Sequence, residues 1–219
     1  MNYGYPVRVD NPDTLKDPFC FAKSLYDYVA GAEDFSGLHV AEIGSGNGGG
    51  AAYLSESRNA LEYRALDISM KNVSFARRIH IESRAIFLHG DAQKLPFQDG
   101  SLDRLISVES VHCYGNKARF FAEASRVLKP NGRLMFASEF PGSFESEASR
   151  LMSTNGFIKV DLTDITHQVN EALPLHTRNL LSLGERLAQD TLPLYEKLVS
   201  SRGIRSGWRY LRFEASRGS

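Results

Sequence analysis

The chain has 219 residues, with 26 Lys+Arg against 26 Asp+Glu and a formal net charge of zero, enough for one domain with a sizeable core and no long-range pull toward nucleic acid. Its two cysteines, Cys20 and Cys113, make neither a disulfide framework nor a zinc site and fit a reducing compartment. A polar, proline-containing start and the lack of any window near ~20 consecutive apolar residues predict neither a secretion signal nor a membrane span, hence a cytoplasmic protein.

Residues 2–14 hold Tyr3, Gly4, Tyr5, Pro6, Asn11 and Pro12 and read as loop. Phe19, Ala22, Leu25, Tyr26 and Val29 recur at helical spacing, which predicts a helix over 15–30 stopped at Gly31. A strand follows over 38–43, with Glu42 as its one carboxylate, costly there unless it meets a partner. It runs into Gly44-Ser45-Gly46-Asn47-Gly48-Gly49-Gly50 and a helix from Gly48 to Ser57. Glycine permits positive φ and lets a ligand approach the backbone, while the helix start points N–H groups back at the turn.

Strand and helix then alternate. Leu61, Tyr63, Ala65, Leu66 and Ile68 suggest a second strand ending at Asp67, and Ser69 caps a helix carrying Val73, Ala76, Ile79 and His80. A third strand is expected at Ala85–Leu88 and a fourth at Leu102–Val108. A helix over Lys117–Leu128 ends in Lys129-Pro130-Asn131-Gly132, which turns into a fifth strand at Arg133–Ser138. Gly156–Leu162 predicts a sixth strand. Ile165–Val199 is helical in pattern, interrupted by Pro174 and Pro193, and Trp208–Phe213 alternates as a half-exposed final strand. Such alternation predicts a parallel sheet with helices on both faces and ligands beyond the C-terminal strand ends. Glu42, Gly44, Asp67, Asp91 and Glu109 all fall at or just past such ends and are expected to line one crevice. Arg202, Arg205, Arg209, Arg212 and Arg217 read as solvated surface.

The glycine turn admits two adenosine-bearing cofactors. Gly44, Gly46 and Gly49 fit G-x-G-x-x-G, with the acidic Asp67 downstream, as for a dinucleotide. Glu42-x-Gly44-x-Gly46-x-Gly48 resembles the E/D-x-G-x-G-x-G first motif of the class I S-adenosylmethionine-dependent methyltransferases. The run from Gly90-Asp91-Ala92 through Leu95-Pro96-Phe97 to Leu102-Asp103 resembles the G-D-A-x-x-L-P-F-x-D-x-S-F-D segment of their small-molecule members. Arg126 to Gly132 resembles their R-V-L-K-P-G-G, with Asn131 in place of a glycine, a residue that tolerates left-handed backbone. These matches run from about Glu42 to Ser138 in the family's order. A short-chain dehydrogenase would also want Tyr-x-x-x-Lys, and no tyrosine here has Lys four positions later, so the nicotinamide alternative is set aside.

The resemblance implies a Rossmann-like α/β fold of seven strands, mostly parallel with an antiparallel last strand, in a single domain. S-adenosylmethionine is the implied cofactor and S-adenosylhomocysteine its product. Asp91 and the Ala92 N–H would meet the adenine, and Asp67 the ribose hydroxyls; Glu42, Gly44, Ser45, Gly46, Gly48, Ile68, Gly90 and Glu109 complete the implied set. Read locally, Asp67 is also an anion ahead of a helix start and Asp91 an ordinary turn residue. Asn2-Tyr3-Gly4-Tyr5 resembles the N-x-G-Y-W opening of one branch, with Pro6 replacing Trp, and implies that Tyr3 and Tyr5 fold over the mouth.

Glu109-Ser110-Val111-His112-Cys113-Tyr114 resembles that branch's E-S/A-x-H-x-Y segment, beside the transferring methyl. Methyl transfer is an in-line displacement that demands alignment and, for a hydroxyl acceptor, proton removal. His112, with Glu109 beside it, is the candidate base or substrate hydrogen-bonder; a buried structural histidine is the alternative. Residues 1–31 are expected to form an N-terminal cap and 164–206 a helical insertion over the substrate pocket. Phe19, Tyr26, Phe140 and Tyr195 are candidates for the acceptor wall or for core, and His167 and His176 lie within reach of the pocket. No metal site is expected. Zero net charge and the lack of an Asn/Asp-Pro-Pro-Tyr/Phe sequence after the fourth strand point away from nucleic acid. The expected activity is methylation of a small molecule, a secondary-metabolite hydroxyl, by a monomer or homodimer that engages no membrane. N- or C-methylation, or a non-catalytic cofactor-binding module, are the alternatives.

Overall fold

The computed structural model describes residues 3–7, 15–187, 204 and 206–218. Its strands in chain order are β1 (His39–Ile43), β2 (Glu62–Asp67), β3 (Ala85–His89), β4 (Leu102–Val108), β5 (Leu128–Pro141), β6 (Phe157–Asp164) and β7 (Trp208–Arg217). The helices are α1 (Cys20–Ala30), α2 (Gly49–Ser57), α3 (Met70–Ile79), α4 (Lys117–Val127), α5 (Phe144–Thr154) and α6 (Thr166–Leu187). One seven-stranded sheet runs β3-β2-β1-β4-β5-β7-β6. The pairs β2–β3, β1–β2, β1–β4 and β4–β5 are parallel, and β7 is antiparallel to both neighbours. This is the expected fold, with a single reversed strand.

The chain moves outward from β1 through β2 to β3, then returns to place β4 on the other side of β1. Ligands of open α/β sheets sit at that reversal, beyond the strand tips. Alternation along the strands feeds two cores. On one face Phe120, Phe121, Phe136, Phe140, Phe144 and Phe213 pack together; on the other, Leu25, Val29, Phe35, Leu54, Tyr63 and Tyr210. Local signals agree with this packing. Ser69 caps α3, its hydroxyl accepting from Asn72 N–H at 3.3 Å, and Asn131 takes φ 63° where the turn asks for left-handed backbone.

Four expectations are corrected. The first helix begins at Cys20, not at residue 15. Helix α5 was not expected, although Phe144, Ala148, Leu151 and Met152 line its buried face at helical spacing. The final strand is not half-exposed: it lies between β5 and β6, and even Arg212 within it is buried, bonded to Asp161 and Glu214. Helix α6 runs through Pro174 without stopping. Val169, Ala172, His176 and Leu180 form its buried side while Pro174 is exposed, so packing on both flanks of the proline outweighs its cost. The pattern around Pro193 lies outside the described residues. Pro174→Ala is therefore expected to stabilise the protein by about 1–3 kcal/mol, since it restores a donor and removes a clash. A lower denaturant midpoint for the variant would contradict this.

Candidate active site

The glycine turn between β1 and α2 is hooked onto β2. The N–H groups of Gly44 and Ser45 donate to Leu66 O at 2.7 and 3.0 Å, and Gly46 N–H donates to Asp67 Oδ2 at 2.8 Å. These amides are spent inside the protein, so they do not face a ligand as the sequence suggested. The ladder of α2 opens with Ala52 N–H donating to Gly48 O at 2.9 Å, and the amides just before it lie outside that ladder. Each glycine answers a different demand. A Cβ on Gly44, at φ 77°, would sit 1.8 Å from Ser110 Oγ, and one on Gly48 would sit 2.6 Å from the Phe87 ring. A Cβ on Gly46 would meet nothing within 4 Å. Gly44 and Gly48 serve packing; Gly46 fronts open space, as a ligand cradle requires.

The tips of β2 and β3 bring Asp67, Ile68, Gly90, Asp91 and Ala92 together: Asp67 pairs with His89 in register, and Gly90 N–H donates to Asp67 O at 3.0 Å. Asp67 also accepts Ser69 N–H at 2.8 Å and Asn72 Nδ2 at 3.2 Å on its other oxygen. It therefore ties the turn to the start of α3, the local role foreseen for it, and three of a carboxylate's roughly four acceptor positions are in use. Asp91 Oδ1 accepts Gln93 N–H at 2.8 Å, closing a tight turn. Ile68 is 68% exposed beside Asp67, an apolar surface suited to a flat ring, and the side chain of Ala92, just past the tip of β3, is buried in the core with Leu66 and Leu95.

Glu42 departs from expectation. It is wholly buried and does not line the crevice, because Tyr26 Oη and Tyr63 Oη donate to its two oxygens at 2.8 and 3.0 Å. Burial pushes its carboxyl up to about 7, against the pull of the two phenols. Both phenols are raised in turn, by burial first and then by Glu42. Tyr26 is thus drawn into the support of the turn and away from the acceptor wall.

On the far side of the turn, Glu109 follows β4 at φ 58°, its N–H donating to Ala137 O at 2.8 Å. Burial and then Glu109 raise the phenol of Tyr210, so these two groups lie together. Tyr3 packs edge-on to Tyr210 with ring centroids 5.8 Å apart and donates its hydroxyl to Glu139 Oε2 at 3.0 Å. His112, in a short 3-10 turn (Val111–Cys113), shares a 2.5 Å hydrogen bond between its Nδ1 and Ser138 Oγ. Tyr114 is half-buried beside the turn, accepting from Ser110 Oγ at 2.9 Å and donating to Ile43 O at 3.3 Å.

The remaining candidates scatter. Phe140 stacks on Phe144 at 4.0 Å in the core of the opposite face, because strand alternation sends it away from Glu139. Phe19 is exposed at the start of α1, and His167 faces solvent beside Glu171. His176 is buried against Phe21 and the close-approaching Gly4. Tyr5 stacks on Tyr28 at 4.2 Å, and Tyr195 lies outside the described residues. Sequence reasoning missed Tyr63, Ser138, Glu139 and Tyr210; Glu139 and Tyr210 are cross-strand neighbours in the β5–β7 pairing. Among the described residues no group of three potential metal ligands is assembled, and no helix is long and apolar enough to cross a membrane.

A family profile described as "Methyltransferase domain" matches residues 41–136. The fatty-acid O-methyltransferase of Mycolicibacterium smegmatis is 30% identical over 86% of this chain and 70% of its own length. A probable phthiotriol/phenolphthiotriol dimycocerosates methyltransferase of Mycobacterium ulcerans is 32% identical over 70% of this chain, which spans 60% of that relative. Among solved structures, the [4+2]-cyclase SpnF superposes with a TM-score of 0.75 at 20% identity, covering 100% of this chain and 88% of its own, a likeness of fold.

The buried Glu42 makes stability depend on pH. Its folded value near 7 lies above the ordinary 4.5, so the protonated form is favoured in the folded state. That contribution is whole below the ordinary value and is lost as pH rises through about 7. Denaturant unfolding across this range is expected to show a decline in the wild type and a flatter profile in Glu42→Gln; equal slopes would contradict the assignment.

Proposed function

The chain belongs to the class I S-adenosylmethionine-dependent methyltransferases, and we propose that it methylates a hydroxyl of a small, lipid-like acceptor. The observation that carries this is the division of the strand tips about the open Gly46. Asp67, Ile68, Asp91 and Ala92 gather on the β2–β3 side, and Glu109, His112 and Glu139 on the β4–β5 side. The first group has the chemistry of a nucleoside site: a carboxylate for hydroxyls, an apolar side chain for a ring, and an acid with an adjacent amide for the base edge. The donor, when bound there, supplies an electrophilic methyl on a positively charged sulfur.

With the donor held by the first group, Glu109, His112 and Glu139 at the ends of β4 and β5 would be left to meet the acceptor. Tyr3 of the N-terminal segment, with α1 and α6, supplies the wall of the acceptor's space. Cys20 and Phe21 of α1 pack on Ala172 of α6, and His176 of α6 packs beside Gly4. The names of the two relatives, one acting on fatty acids and one on phthiotriol, support a lipid-like acceptor. The O-methyltransferase in one name and the triol in the other support oxygen as the acceptor atom.

The work left to the protein is alignment and removal of one proton. With Nδ1 held by Ser138, Nε2 of His112 is the atom that would take the proton as the acceptor oxygen gains its methyl group. Labelled-methyl assays with long-chain diols and fatty acids, followed by mass analysis, test the acceptor atom. Methyl found on a carboxyl oxygen or on carbon would replace the hydroxyl assignment, and bound donor with no turnover on any acceptor would favour a binding module. His112→Ala is expected to lower turnover about 10²–10⁴-fold while S-adenosylhomocysteine still binds. Unchanged turnover would remove the base.

A further inference from the structure

The glycine turn has two ends, and a side chain from outside the β1–α2 unit touches both. Tyr26 of α1 donates its hydroxyl to Glu42 Oε1 at 2.8 Å, two residues before Gly44. Its ring fills the notch at Gly50, where a Cβ would lie 1.9 Å from Cζ and 2.3 and 2.4 Å from Cε1 and Cε2. Gly50 is the second residue of α2, so its missing side chain makes room for a phenol, not for a ligand. The other Glu42 oxygen takes the Tyr63 hydroxyl at 3.0 Å, which fixes the carboxylate from β2. Stability alone does not call for this arrangement, because well-packed apolar side chains commonly replace a buried charged cluster without loss.

We infer that Tyr26 is a positioning residue for the methyl donor, setting the separation of the two ends of the glycine turn by its hydroxyl on Glu42 and its ring on Gly50. This rests on the proposed donor site. It gives Glu42 a role through Tyr26 instead of by contact with the ligand, and it explains a glycine that the open face of the turn does not require. The groups facing Glu42 are Tyr26 from α1 and Tyr63 and Asp67 from β2, while Glu109 after β4 faces Tyr26 from the other side. Ionised, Glu42 accepts both phenolic protons. Protonated, it must place a proton of its own among the same groups, which weakens one of those bonds. Donor-site affinity therefore strengthens as pH rises through the range in which Glu42 ionises.

The test is calorimetric titration of the full chain with S-adenosylhomocysteine at pH 6 and pH 8, each variant's fold being checked by circular dichroism. Tyr26→Phe keeps the ring in the notch and loses the hydroxyl; it is expected to weaken binding about fivefold at pH 8 and to shrink the gain between the two pH values. Gly50→Ala displaces the ring and is expected to weaken binding about tenfold or more. In a Tyr26→Leu background, where the notch is vacant, adding Gly50→Ala should cost nothing further. Wild-type affinity and pH dependence in Tyr26→Phe would overturn the inference, as would an equal loss from Gly50→Ala with and without the ring. Should Gly50→Ala fail to fold, Tyr26→Phe decides alone. If the folded wild type binds no S-adenosylhomocysteine, the donor site itself is refuted and this inference falls with it; binding with unaltered variants refutes only the positioning role.

Discussion

A single carboxylate at the tip of β2 governs the shape of the crevice. Asp67 takes the Gly46 N–H on one oxygen and the Ser69 N–H and Asn72 amide at the start of α3 on the other. Leu66, its neighbour, receives two more amides from the turn. The loop that leaves β1 is thereby an attachment of β2, which is why it stays open at Gly46 instead of collapsing over the strand ends. Hydrogen bonds to an ionised acceptor are among the stronger ones available to a backbone. An acid that holds the turn this way also stands where the hydroxyls of a ribose would need an acceptor.

Beneath that turn lies a row in which phenols alternate with acids. Tyr63, Glu42 and Tyr26 are joined by hydrogen bonds; Glu109 stands against Tyr26 and Tyr210; Tyr3, packed on Tyr210, bonds to Glu139. Its members come from β2, β1, α1, the end of β4, β7, the N-terminal segment and β5. Strand tips, the first helix and the chain start are thus coupled through polar contacts in a region where water has little access. Buried polar groups of this kind are expensive to leave unmatched, so the arrangement tolerates little displacement of any one member.

Much of this fold was legible in the sequence because its signals are local. Apolar runs of strand length alternating with helical spacing marked the first five strands. Ser69 and Asn131 announced a cap and a left-handed turn that the backbone then adopts. Failures came where distant packing outweighed local preference. The serines and glutamates of α5 masked an apolar stripe at correct spacing; α6 absorbs a proline because its buried side continues on both flanks; β7 hides Arg212 and part of Glu214 because Asp161 of β6 and Arg133 of β5 carry the complementary charges. The site divides in the same way. Residues at strand tips were found by position, whereas Tyr63, Tyr210 and Glu139 belong to it through contacts between segments far apart in sequence, and Phe140 left it by the two-residue period of its strand.

The crevice is assigned to a methyl donor and not to a dinucleotide, although both fit a glycine pattern. Parallel equilibrium titrations of the folded wild-type chain with S-adenosylmethionine and with NADH test this directly. One saturable site for S-adenosylmethionine and no response to NADH is the expected result. Binding of NADH with none of S-adenosylmethionine would contradict the assignment of the crevice.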